Sequence, residues 1–158
     1  MNMFILRRLA VAGCGVAVLV LAGSAQANLA SNGGFEESSS GAGELGTATT
    51  ATGWAAAGFN LLFADPTAEI DTVSFWGADN GGSGTLSASP DGGNFVAASA
   101  DYEVGAISQT IAGLTVGDEY QLTFDYAGAQ QHGFDGATTT HWDASLGGKP
   151  LTQRRWPI

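Results

Sequence analysis

Residues 119–126 alternate strictly, with Tyr120, Leu122, Phe124 and Tyr126 on one side and Glu119, Gln121, Thr123 and Asp125 on the other. A period of two turns successive side chains to opposite faces, so this stretch predicts an antiparallel strand with one face over a core. Residues 141–146 repeat the pattern with Trp142, Ala144 and Leu146 inward, which leaves His141 and Asp143 together on the outer face. In residues 106–111, Ile107, Gln109 and Ile111 fall on one side, and a turn over 113–118 leads into the 119–126 strand. Residues 70–76 and 94–98 complete the predicted set, with a further short strand near 28–30. No segment carries a 3.6-residue period. Between these runs, 38–58 and 77–94 are dense in Gly, Ser, Thr and Asp and predict long loops; Trp54 implies that the end of the first is docked. Short strands, Gly-rich turns and no helix imply an all-β fold, an antiparallel β-sandwich or a barrel.

The N-terminus is built differently. Arg7 and Arg8 precede an uncharged apolar run over 9–22, followed by Gly23, Ser24 and Ala25-Gln26-Ala27. That is the three-part layout of a secretory signal, with small residues where a signal peptidase reads, so residues 1–27 are expected to be removed after Ala27. The apolar run is 14 residues long, short of the roughly 20 needed to cross a bilayer as a helix. No second such run follows, so the mature chain is expected to lack a transmembrane helix. Val11-Ala12-Gly13-Cys14 resembles a lipobox, but only five residues separate Arg8 from Cys14, and the neighbours of Arg7-Arg8 do not match twin-arginine export. Ordinary export to the outside or surface of a bacterial cell is the expectation.

Cleavage changes the electrostatics. The full chain has 15 acids, 5 Lys and Arg and a net charge of −10. Removing 27 residues leaves 131 with every acid retained and only Lys149, Arg154 and Arg155 as cations, a net charge of −12. Residues 28–148 contain no lysine or arginine, so the body of the domain has no basis for phosphate-backbone recognition, and nucleic acid is excluded as an expected partner. The single cysteine, Cys14, leaves with the signal. Disulfides, thiol catalysis and cysteine metal sites go with it.

Candidate chemistry is sparse. His132, Asp135, His141 and Asp143 could suggest acid–base or zinc chemistry, but such centres need ligands held at fixed geometry, and His132 lies in a Gly-rich loop. Asp79-Asn80-Gly81-Gly82 and Asp91-Gly92-Gly93-Asn94 lack the spaced acids of a calcium loop and read as turns. There is no Gly-x-Ser-x-Gly elbow, and no acid spacing nominates a glycosidase pair. The expectation is therefore not an enzyme. Trp54 and Trp76, with the aromatics of 59–63, are the candidate platform for stacking a sugar ring, whereas Trp142 is expected in the core.

Three pieces resemble a known architecture. Asn28-Leu29-Ala30-Ser31-Asn32-Gly33-Gly34-Phe35-Glu36, then Gly53-Trp54, then the hairpin from Ile107 to Phe124 resemble galactose-binding-like jelly rolls, including many bacterial carbohydrate-binding modules. Ala127 to Gln131, Gly133-Phe134, Thr138-Thr139 and Trp142 to Gly148 resemble a subset of exported PEP-CTERM proteins, which are bacterial surface or matrix proteins. The resemblance implies a galactose-binding-like jelly-roll domain over 28–148, with polysaccharide or extracellular matrix as partner. It also implies a structural calcium, with Glu36 as one ligand. Residues 149–158 depart from it, as a basic tail without the further strands or the Pro-Glu-Pro sorting segment of that family; truncation or a frame shift near Gly148 is the expectation. The function expected is that of a non-catalytic surface or matrix protein contacting polysaccharide. The alternatives are a purely structural or interaction protein of the envelope with no sugar ligand, and a fragment of an extracellular hydrolase.

Overall fold

The computed structural model describes residues 2–14, 28–75, 88–90, 92–134, 139–150 and 156–157. Among them every regular element is a strand, every strand pair is antiparallel, and no helix is long and apolar enough to cross a membrane.

The centre of the molecule is the pair β4 (Asn60–Phe63) and β5 (Phe95–Ser99), buried at every position. A strand covered on both faces reads as a continuous run instead of an alternation. The runs Asn-Leu-Leu-Phe and Phe-Val-Ala-Ala-Ser are of that kind, with Phe63 opposite Phe95 and Asn60 opposite Ala98. On one face Leu61, Phe63, Phe95 and Ala97 join Ile70, Val73, Phe75 and Ala129. There Phe63 stacks on Phe95 at 5.4 Å between ring centroids and meets Phe75 at 4.9 Å. On the other face Leu62 and Val96 join Phe35, Leu45 and Ala51, with Trp54, Phe124 and Trp142 packed against them.

Around this pair a five-stranded sheet forms. β2 (Gly43–Glu44) lies beside β4, and on the far side β1 (Asn2–Cys14) lies between β5 and β7 (Glu119–Gln130). Residues 2–14, read from sequence as the charged head and the first part of the apolar run of an export signal, thus supply an interior strand. Arg7 is an extra residue between Leu6, opposite Tyr126, and Arg8, opposite Asp125, which makes a bulge. At the same level the covered face of β7 changes. Tyr120, Leu122 and Phe124 are half-buried as expected, but Tyr126 is 41% exposed, and the covered positions become half-buried Ala127 and buried Ala129, over the opposite cluster.

Other expectations are met in part. β5 and β7 coincide with the predicted strands, although β7 runs four residues further. Only β6 (Ile107–Ser108) pairs within 106–111, against β3 (Ala55–Ala56), yet burial alternates through Ile111. Within 141–146 only β9 (Ser145–Leu146) pairs, with β10 (Lys149–Pro150). Gly147 and Gly148 form their turn at φ 60° and 74°, a left-handed pair that matches the twist of a two-residue hairpin. β8 (Thr139–Thr140) pairs with β11 (Trp156–Pro157).

Of the predicted strand over 70–76, residues 70–73 are instead a tight turn, Phe75 makes a single antiparallel bridge with Gln131, and Trp76 lies outside the described residues. Ile70 and Val73 exchange two backbone hydrogen bonds of 2.9 and 2.8 Å, with Asp71 and Thr72 between them at φ 49° and 66°. Near 28–30 only Asn28 makes a bridge. The loop expected over 38–58 contains β2 and β3 and folds back on itself, because its small hydroxyl side chains bind backbone amides: Ser38 Oγ accepts from Gly41, Ser39 Oγ from Thr50, and Thr49 Oγ1 from Ser40. That arrangement buries Leu45 and Ala51. Most of the 77–94 loop lies outside the described residues.

Candidate functional site

The strands leave a cavity of about 660 Å³ on the Phe124 side of the sheet. It is lined by Leu122 and Phe124 of β7, by Ile107 and Ile111, and by Trp54 and Trp142. Ile107, Ile111, Leu122, Phe124 and Trp142 come from segments whose burial alternates, so their part of the lining follows from the period-two pattern, whereas Trp54 comes from the loop over 38–58. Polar groups sit at the rim: Ser108, Ser145, and His141 with Asp143, whose Nε2 and Oδ2 are 3.3 Å apart. The two rim side chains are 39% and 87% exposed, so their pairing is a solvated contact of small energetic weight.

Trp54 is half-buried. Its ring lies 4.9 Å from that of Phe35, and its Nε1 donates to the Asn32 carbonyl at 3.0 Å. With the indole N–H committed, what Trp54 offers the cavity is ring surface. Gln109 fixes the same corner. Its Oε1 accepts from the Ser31 amide at 2.9 Å, and its Nε2 donates to Ser31 O at 2.8 Å and Gly53 O at 3.2 Å. Gly53, at φ 81°, is tight here, because a Cβ on it would come within 2.8 Å of Ser31 Oγ.

Comparison with protein-family models, with curated proteins and with solved structures is the remaining route to an identity. None of the three gives a match. The site therefore has to be read from its own geometry.

Of the expected site residues, Trp54 lies in the cavity wall, Trp76 lies outside the described residues, and Glu36 lies elsewhere. Glu36 Oε1 accepts the Asn94 amide at 2.7 Å, while Asn94 Nδ2 donates to Phe35 O at 2.8 Å. The carboxylate rests on Gly93, where any Cβ would collide with it. Calcium takes six to eight oxygens, and among the described residues no three His, Cys, Asp or Glu side chains come together as a metal shell. Among the described residues Glu36 ties the 33–36 loop to the start of β5.

Sequence reasoning assigned Trp142 to the core and kept it apart from the candidate site. It is half-buried, packs on the same cluster as Trp54 and lines the same cavity. Inward alternation was a correct signal for its direction; what it could not convey is that the space it points into is unfilled. His141 and Asp143 do come together, as their shared outer face implied. His132 is exposed beyond the far end of β7, and Asp135 lies outside the described residues.

Proposed function

We propose that the chain is an exported, non-catalytic β-sandwich of the galactose-binding-like jelly-roll type, a cell-surface or matrix protein that binds polysaccharide in the cavity between Trp54 and Trp142. The single observation that carries this reading is that cavity: two tryptophans and a phenylalanine around about 660 Å³, with hydroxyl, imidazole and carboxylate groups at the rim. A pyranose ring has an apolar face that packs on aromatic surface and a perimeter of hydroxyls that needs donors and acceptors. Binding sites for small polar molecules commonly combine apolar walls with a few polar groups in this way. Neutral sugars suit the electrostatics, since a body with fifteen acids and no lysine or arginine over 28–148 repels anionic glycans.

Affinity electrophoresis of the full chain through gels containing neutral polysaccharides tests the reading. The chain is retarded in at least one, and Trp142→Ala abolishes the retardation while its far-ultraviolet circular dichroism stays unchanged. Retardation that survives Trp142→Ala removes the cavity from the account. The structural reading, an envelope protein without a sugar ligand, draws on the internal hydrogen bond of the Trp54 indole. It predicts no retardation in any gel.

A further inference from the structure

Among the described residues, β1 is the only strand that joins β7 to the rest of the main sheet. Met3–Leu6 pair with Val96–Ser99 of β5, and Asn2–Cys14 pair with Glu119–Gln130 of β7. Both pairings are antiparallel, so β5 and β7 run parallel to each other with one strand width between them. If residues 1–27 are removed, β5 and β7 cannot close the gap with the pairing they have. A direct β5–β7 ladder would be parallel, and the two edges are about 10 Å apart, twice the interstrand spacing. Two rows of backbone N–H and C=O groups then face an empty slot, and such edges bind extended chains.

We propose that the slot between β5 and β7 is a strand-acceptor site, which in the processed protein takes an extended segment of another polypeptide running antiparallel to both. The strand now seated there indicates the chemistry of the donor. It is mainly apolar, free of proline, and cationic where β1 crosses the acidic body: Arg8 stands in register with Asp125. The complement is selective, because the body itself supplies no lysine or arginine between 28 and 148. Strand capture also bears on the cavity, whose lining residues Leu122 and Phe124 belong to the strand that the donor anchors.

This inference rests on the export reading only for what empties the slot, and the test empties it by other means. A protease recognition sequence is inserted into the full chain between Gly15 and Ala27, the chain is cut, the N-terminal piece is separated in urea and the remainder returned to buffer, and a fluorescein-labelled peptide with the sequence of residues 2–14, carrying Cys14→Ser, is added. The peptide binds saturably to the cut chain, at least tenfold more tightly than to the uncut chain. Ala10→Pro with Val11→Pro in the peptide weakens binding at least tenfold, since neighbouring amides alternate sides and one of the two donates to β7. Arg8→Glu weakens it about threefold, the scale of a cross-strand charge pair. Equal binding to cut and uncut chains, or to the proline peptide, overturns the proposal. So does a dimer of the cut chain that excess peptide does not dissociate, which would put a second copy in the slot. Independently, Glu119→Cys in the uncut chain forms a disulfide with Cys14, its register partner, under mild oxidation; failure to form it denies the seat of β1. N-terminal sequencing of exported protein tests the export reading alone.

Discussion

Replacing Leu61 and Leu62 one at a time by alanine probes whether the sheet is covered on both sides. The two are neighbours on β4, so their side chains leave opposite faces, and each is fully buried. Leu61 sits with Phe63, Phe75 and Phe95, and Leu62 with Phe35, Leu45 and Val96. Truncating a fully buried leucine removes its transfer free energy and leaves a partly collapsed cavity, together about 3 kcal/mol and within a range of about 2–5. At a urea dependence of about 2 kcal/mol per molar, each variant loses about 1.5 M in unfolding midpoint. The double variant measures how far the two cavities couple, since adjacent residues of one strand need not add. Equilibrium urea unfolding of the full chain, followed by tryptophan fluorescence, measures all three. A loss below about 0.5 kcal/mol for either single variant would mean that one face of β4 is open to water, and the two-sided core would be refuted.

Other outcomes follow from individual contacts. Gln109→Ala removes three hydrogen bonds that hold the Ser31 and Gly53 backbone and lowers stability by about 1–2 kcal/mol in the same urea assay; Gln109→Glu is no better, because it turns a donor into a carboxylate against two carbonyls. Gly105→Ala places a methyl group on the Ala57 carbonyl, a backbone atom that cannot swing aside, and costs more than about 2 kcal/mol; unchanged stability would contradict the β3–β6 approach. Thr72→Gly relieves a β-branched residue at φ 66° and raises stability by about 1 kcal/mol. The Asp65 carboxyl is held below its ordinary value of 3.8 by hydrogen bonds from the Thr67 amide and hydroxyl. A depressed folded value means a contribution present above about pH 4 and lost as the pH falls through the lowered value. The stability gap between the native chain and Asp65→Ala therefore narrows in acid, and a gap that widens there would reverse the assignment.

How far the chain can be read without its structure depends on how its strands are buried. β7 was legible through Phe124 because one face is covered there and the other is wet. It became illegible past Asp125, where the covered face changes and the small residues of Ala-Gly-Ala give no contrast. β4 was hidden for the opposite reason: Asn60, Leu61, Leu62 and Phe63 are all buried, so no alternation remains to find. Ile70 and Val73 have the composition of a strand, but two left-handed residues between them make a turn, and neither Asp71 nor Thr72 announces this as glycine would. In the site, Trp54 was legible as a docked aromatic and Trp142 as an inward one. That they border the same space is a matter of tertiary packing between segments nearly ninety residues apart. Residues 2–14 carry two readings at once, since an uncharged run of Leu, Val and Ala serves an export apparatus and an interior strand equally well.

The most direct measurement is an ¹⁵N correlation spectrum of the full chain in which the indole N–H signals of the four tryptophans, assigned by single Trp→Phe variants, are followed as oligosaccharides from a retarding neutral polysaccharide are added. Saturable shifts of Trp54 and Trp142, with Trp156 unmoved, are the predicted result. Shifts confined to Trp76 or Trp156, or saturation without movement of Trp142, would contradict a sugar seat between Trp54 and Trp142.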